Sequence, residues 1–248
     1  MLVAAAVCPC PPLLVPEVAA GAAPELDAAR DACADALGVL AASRPDLLVV
    51  VGPAGPDRRG PHPQGARGSF GGFGVDLEVR LGEDAHSAGD DAPDATTGSA
   101  AGALPDSLAV GAWLLGRTEW ADIPVAGLGV GDTLEAARCA EAGREMARRA
   151  DRVALLVMGD GSACRTLKAP GYLDERAEGF DAGAARALGT ADTDALLALD
   201  EDLAYALKAS GRAPWQVLAG AAEGTDLGGQ LLYEDAPYGV GYFVACWS

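Results

Sequence analysis

Histidine is nearly absent from this chain: its 248 residues include only His62 and His86. Chemistry that depends on clustered imidazoles, whether metal ligation or activation of a nucleophile, has little to draw on. Lysine is as rare, at Lys168 and Lys208, and no GxGxxG or Walker lysine follows a strand-like run, so a nucleotide fingerprint is missing. Basic residues number 18 against 36 acidic ones, a formal net charge of −18. A surface this acidic repels phosphate backbones and anionic lipids, which argues against nucleic acid and membranes as partners. No window reaches the roughly 18 continuous apolar residues of a membrane span. The first residues lack a basic stretch, and Pro9, Pro11 and Pro12 break their apolar run, so a signal peptide is not expected. These absences together predict a cytoplasmic protein.

Half of the residues are hydrophobic, enough to bury a sizeable core. Short, continuous apolar runs at 2–8, 47–53, 123–130 and 152–160 have the character of strands buried on both faces. Segments with helical spacing lie between and after them, at 24–43, 104–120, 132–150, 175–188, 192–199, 200–210 and 215–223. Asp132 with Glu135 reads as a capping box opening the 132–150 helix. The run 2–8, helix 24–43 and run 47–53 predict a βαβ unit with a parallel strand pair. Residues 52–74 read as a long Gly/Pro loop, 75–81 as a strand with one wet face, and 229–247 as two strands around a Pro-Tyr-Gly bend. The acidic, low-complexity stretch 82–103 predicts a disordered surface insertion. With no repeat and no linker, residues 1–248 form one α/β domain of three layers, α/β/α, around a mostly parallel sheet.

Ligands in such sheets gather at the carboxyl ends of the strands. That rule selects Cys8, Cys10, Ala54, Asp160, Ser162, Cys164, Glu234 and Asp235 as candidate crevice residues. Cys33, Cys139 and Cys246 lie in patterned apolar segments and read as core thiols. Gly159, Gly161 and Ser162 offer backbone N–H groups after a strand, and Arg165 and Lys168 follow, so a small anion is conceivable there. A tight turn explains the same residues, and Glu234 and Asp235 are available to pair with the two cations.

Four stretches carry a family likeness: CPCPPLLVPEV; VVVGPAGP followed by GSFGGFG; MGDGSACRTLKAPGYLDERAEGFD; and YEDAPYGVGYFVACW. In that order they resemble the subunit-B family of class III extradiol ring-cleavage dioxygenases, including its Memo-like branch, over nearly all of the chain outside 82–103. The resemblance implies an Fe(II) centre with two His and one carboxylate as ligands, and a further His as acid/base. The family's loops normally read CPHPP, SPHGP and GDLSH, whereas here they read CPCPP, GPAGP and GDGSA. The implied ligand positions are thus Cys10 and Ala54, the acid/base position is Ala163, and the carboxylate is Asp235 or Glu234. An alanine donates nothing to a metal and shuttles no proton. The expectation is a protein without ring-cleavage activity and without a cofactor, acting as a small-molecule binding or interaction module and self-associating. The alternative is a metal-dependent enzyme with a changed ligand set, using Cys10 with Asp235 or Glu234 and drawing on Cys8, Cys164 or His62. It would hold a divalent metal (Fe or Zn) or Cu(I).

Overall fold

The computed structural model describes residues 1–82, 103–118 and 123–248. Apart from its two end residues, the predicted acidic insertion lies outside the described residues, as does His86.

The chain runs β1 (Leu2–Cys8), α1 (Pro16–Ala19), α2 (Asp27–Ala42), β2 (Leu47–Pro53), β3 (Gly60–His62), β4 (Arg67–Ser69), β5 (Glu78–Arg80), α3 (Asp106–Leu115), β6 (Val125–Val130), α4 (Ala136–Ala147) and β7 (Val153–Met158). It continues with α5 (Ala177–Gly189), α6 (Thr193–Leu197), α7 (Glu201–Ala206), α8 (Arg212–Ala221), β8 (Gly229–Asp235) and β9 (Tyr242–Trp247). Seven strands form one sheet in the order β3-β6-β2-β7-β1-β9-β8. Its centre, β6-β2-β7-β1, is parallel. β3, β9 and β8 add antiparallel margins. The apolar runs become the central strands because helices cover both faces: all six residues of β7 are buried.

The two faces hold separate cores. Alternate residues of β1, Ala4, Ala6 and Cys8, pack under α2 and α3 with Leu37, Leu40 and Leu108. Their neighbours Ala5 and Val7 face α5 and α8, with Trp215 and Trp247. Burying each large aliphatic side chain contributes about 1.5–3 kcal/mol. α4 and α8 approach backbone to backbone: a Cβ on Gly143 would lie 2.0 Å from the Val217 carbonyl oxygen, and one on Gly220 would lie 2.2 Å from that of Ala140.

Several expectations need correction. β1 and β2 are parallel but not neighbours, because β7 inserts between them. The 132–150 helix begins at Ala136, with Glu135 as its N-cap and no side-chain capping bond. The Ala136 N–H is taken instead by Glu201 of α7, a tertiary partner that replaces the local box. The 52–74 loop contributes β3 to the sheet edge. The 75–81 strand shrinks to β5, which pairs with β4 in a separate ribbon.

Connections leave the sheet in opposite senses. From β1 and β2 the chain passes to α2 and α3 on one face; from β7 it passes to α5 on the other. Adjacent strands whose connections part to opposite faces leave a crevice between them, and Cys10 and Asp160 sit at this one.

Candidate functional site

Register assembles the site. Cys8 lies opposite Met158 in the parallel β1–β7 pair, so the same step carried two residues on sets Cys10 against Asp160. Val51 lies opposite Val157 in the β2–β7 pair, which carries Ala54 to the other side of Asp160. Val7 lies opposite Ala245 in the antiparallel β1–β9 pair, which brings Tyr242 to Cys10. Asp235 lies opposite Tyr242. Ala54, Asp160, Cys10, Tyr242 and Asp235 thus form one row across five strands at the carboxyl ends of β1, β2 and β7. Cross-strand partners share a face, so Asp235, not Glu234, belongs to the row; Glu234 lies opposite Phe243, which packs into the other core.

The hydrogen bonds agree with this register. The Cys10 N–H donates to Asp160 Oδ1 at 2.8 Å, and its thiol lies 3.9 Å from Oδ2. The Asp160 N–H donates to Ser210 Oγ at 3.2 Å, and its carbonyl accepts the Gly211 N–H at 2.8 Å, which locks the loop to the start of α8. Asp160 is half-buried. Burial pushes its carboxyl up to about 6, against the opposing pull of the two Cys10 donors. Burial also raises the Cys10 thiol well above its ordinary value, and the Asp160 charge raises it further. The Tyr242 hydroxyl is raised by burial first and then by Asp160 and Cys10. At neutral pH Cys10 is therefore a neutral thiol, unsuited to nucleophilic attack.

In front of Cys10 opens a crevice of about 430 Å³, lined also by Gly55, Asp57, Arg58, Asp106 and Ser107. Ser107 Oγ donates to the Pro53 carbonyl at 2.6 Å and fixes the end of β2. Arg58 Nη1 reaches the Leu104 carbonyl at 3.2 Å and Asp106 Oδ1 at 3.5 Å. Ser107, Asp106, Ser210 and Tyr242 did not emerge from sequence reasoning. Tyr242 stood within a quoted motif, but its contact with Cys10 depends on strand order.

The other candidates scatter. Cys8 is fully buried beneath the row, and its thiol is raised well above its ordinary value, first by a hydrogen bond with Cys33 and then by burial. Cys164 packs into the opposite core, so it cannot join Cys8 and Cys10 around one ion. Its thiol bonds the Leu207 carbonyl at 3.5 Å, and the Ala163 N–H bonds the same oxygen at 2.8 Å. His62 is buried on β3, with Nε2 2.9 Å from the Arg58 carbonyl of its own loop. Asp235 accepts the Ala236 N–H, and both it and Glu234 are exposed.

The anion reading of Gly159–Ser162 also falls, because every amide there is used: Gly159 donates to Cys8, Gly161 to Gly241, and Ser162 to Asp181. Asp181 is fully buried and also takes the Ser162 hydroxyl at 2.7 Å and Arg165 Nη1 at 3.2 Å. Arg165 thus pairs with Asp181, and at 3.9 Å with Glu178, rather than with Glu234 or Asp235. Gly241 has to be glycine, since a Cβ there would lie 2.7 Å from Asp181 Oδ2.

The donor set does not fit the iron centre that the resemblance implies. Ala54 carries no ligand atom in its side chain, Ala163 offers no group to move a proton, and the Cys10 thiol holds its proton beside a carboxylate. Among the described residues, no three His, Cys, Asp or Glu side chains come together to hold a metal.

No helix among the described residues is long and apolar enough to cross a membrane. No protein-family model matches the sequence, and neither does any curated protein. Among solved structures, the chain is similar to the uncharacterized protein JW3007 from Escherichia coli K12, with a TM-score of 0.50 and 16% identity over 99% of both chains. At that identity the likeness is one of fold alone.

Proposed function

We propose that this protein is an extradiol subunit-B-like chain that does not cleave rings and binds a small molecule in the crevice at the carboxyl ends of β1, β2 and β7. The supporting observation is the row itself. Where the resemblance puts iron ligands, the chain has Ala54 and a protonated Cys10 bonded to Asp160, while an open, polar-floored crevice persists in front of them. Binding needs only such a shaped space with a few placed polar groups. Ring cleavage needs a metal and a proton shuttle, and at the positions the resemblance assigns to them this chain carries Cys10, Ala54 and Ala163.

The test has two arms on the full chain. Protein incubated anaerobically with Fe(II), then given catechol and oxygen, is expected to form no ring-cleavage product. A small-fragment screen followed by amide NMR is expected to shift Cys10 and Gly55. Steady product formation, or a screen in which no fragment moves those amides, overturns the proposal.

A further inference from the structure

We infer that the chain pairs with a second copy of itself through the apolar surface formed by residues 166–173 and the turn between β8 and β9. This goes beyond the small-molecule reading and does not depend on it.

Three of the large hydrophobic side chains that stand exposed among the described residues, Leu167, Tyr172 and Leu173, fall within seven consecutive positions. Leu167 is 62% exposed and Tyr172 63%. Scattered singly, such residues need no explanation, whereas a cluster of them marks an interaction surface. Their loop is firmly built. The Ala169, Gly171, Tyr172 and Asp174 amides donate to the Thr166, Ala163, Ala169 and Cys164 carbonyls at 3.1, 2.8, 2.8 and 3.0 Å. Tyr172 is held at φ 64°, a left-handed conformation that a bulky residue adopts only at a cost. A surface ordered in advance loses little entropy when it is covered.

The loop is fastened to the β8–β9 turn. The Arg165 N–H donates to the Gly239 carbonyl at 3.0 Å, and a Cβ on Gly239 would lie 2.6 Å from that of Ala169. Between loop and turn opens a hollow of about 500 Å³, lined by Thr166, Leu167, Lys168, Pro237, Tyr238 and Gly239. One patch thus carries both projecting apolar groups and a hollow to receive them, which is what a two-fold contact between identical surfaces requires.

Charge selects the occupant. The chain carries a net charge of −18, and Lys168 is one of its two lysines. Lys168 lies exposed at the rim of the hollow and makes no ion pair among the described residues. Glu234 is exposed at the end of β8, opposite Phe243 and so on the side of the sheet where Cys164 packs, and it too makes no ion pair among the described residues. A wholly acidic or wholly basic partner would leave one of the two facing its own sign. An identical surface turned through a two-fold axis sets Lys168 of each copy against Glu234 of the other, a local attraction that offsets the general repulsion between two acidic chains.

The test is sedimentation equilibrium of the full chain from about 1 to 300 μM, the range of weak self-association. A monomer–dimer equilibrium is expected. Leu167→Asp and Lys168→Glu are each expected to weaken it at least tenfold. Lys168→Glu combined with Glu234→Lys is expected to restore it to within about threefold, a rescue that unspecific apolar sticking would not show. Asp226→Asn, at an exposed site elsewhere, is expected to change nothing. If Leu167→Asp fails to fold, the charge pair carries the test. A monomer at every concentration, a dimer that Leu167→Asp and Lys168→Glu leave intact, or a double swap that restores nothing overturns the proposal. The crevice reading stands or falls separately, on the amide shifts of Cys10 and Gly55.

Discussion

Asp160 also makes a prediction about stability. Its carboxyl titrates near 6 in the folded protein against an ordinary 3.8, chiefly because burial penalises the charge. Because the folded value is raised, the contribution of the neutral acid is fully present below 3.8 and is lost as pH climbs through about 6. At about 1.4 kcal/mol per pH unit, the gap corresponds to about 3 kcal/mol. Asp160→Asn isolates this effect: the amide keeps an oxygen for the Cys10 N–H and cannot ionise. Urea unfolding of both proteins between pH 3.5 and 7.5 gives the difference in unfolding free energy at each pH, in which every other titrating group cancels. Wild-type stability should fall relative to the variant by about 3 kcal/mol, with most of the change between pH 4 and 6.5. A flat difference, or one that grows in favour of the wild type as pH rises, would refute the claim that the half-buried Asp160 loses hydration without gaining a counter-charge.

Two further substitutions probe the frame around the site. Asp181→Ala strips the acceptor from the Ser162 N–H and hydroxyl and strands Arg165, so a loss of about 3–5 kcal/mol is expected in urea unfolding. A loss below 1 kcal/mol would mean that the clamp is dispensable. Gly143→Ala drives a methyl onto the Val217 carbonyl, 2.0 Å away, and is expected to cost about 1–3 kcal/mol, read as a thermal midpoint several degrees lower.

Much of the fold could be read along the chain. The runs that became β1, β2, β6 and β7 are apolar at every position because they are buried on both faces, and that pattern is local. The strand order was not readable: β7 enters between β1 and β2 through contacts more than a hundred residues apart in sequence. The capping box at Asp132 failed because the helix starts four residues later, at Ala136, where the distant Glu201 takes the first N–H. Within the site, Cys10 and Asp160 were readable as residues at strand ends. The separation of Cys164 from Cys8 and Cys10 was not readable, because it depends on which face of the sheet each thiol packs against.

The sequence by itself determined the chemical inventory: an acidic chain with two histidines, and Cys10, Ala54 and Ala163 at the positions where the resemblance would put imidazoles. Those facts depend only on which atoms are present. The tertiary structure decided which of those atoms meet. Strand register set Asp160, Cys10, Tyr242 and Asp235 in one row, and burial made Asp160 hold its proton to about 6. Register and desolvation belong to the packed sheet, and no local stretch of chain encodes either one.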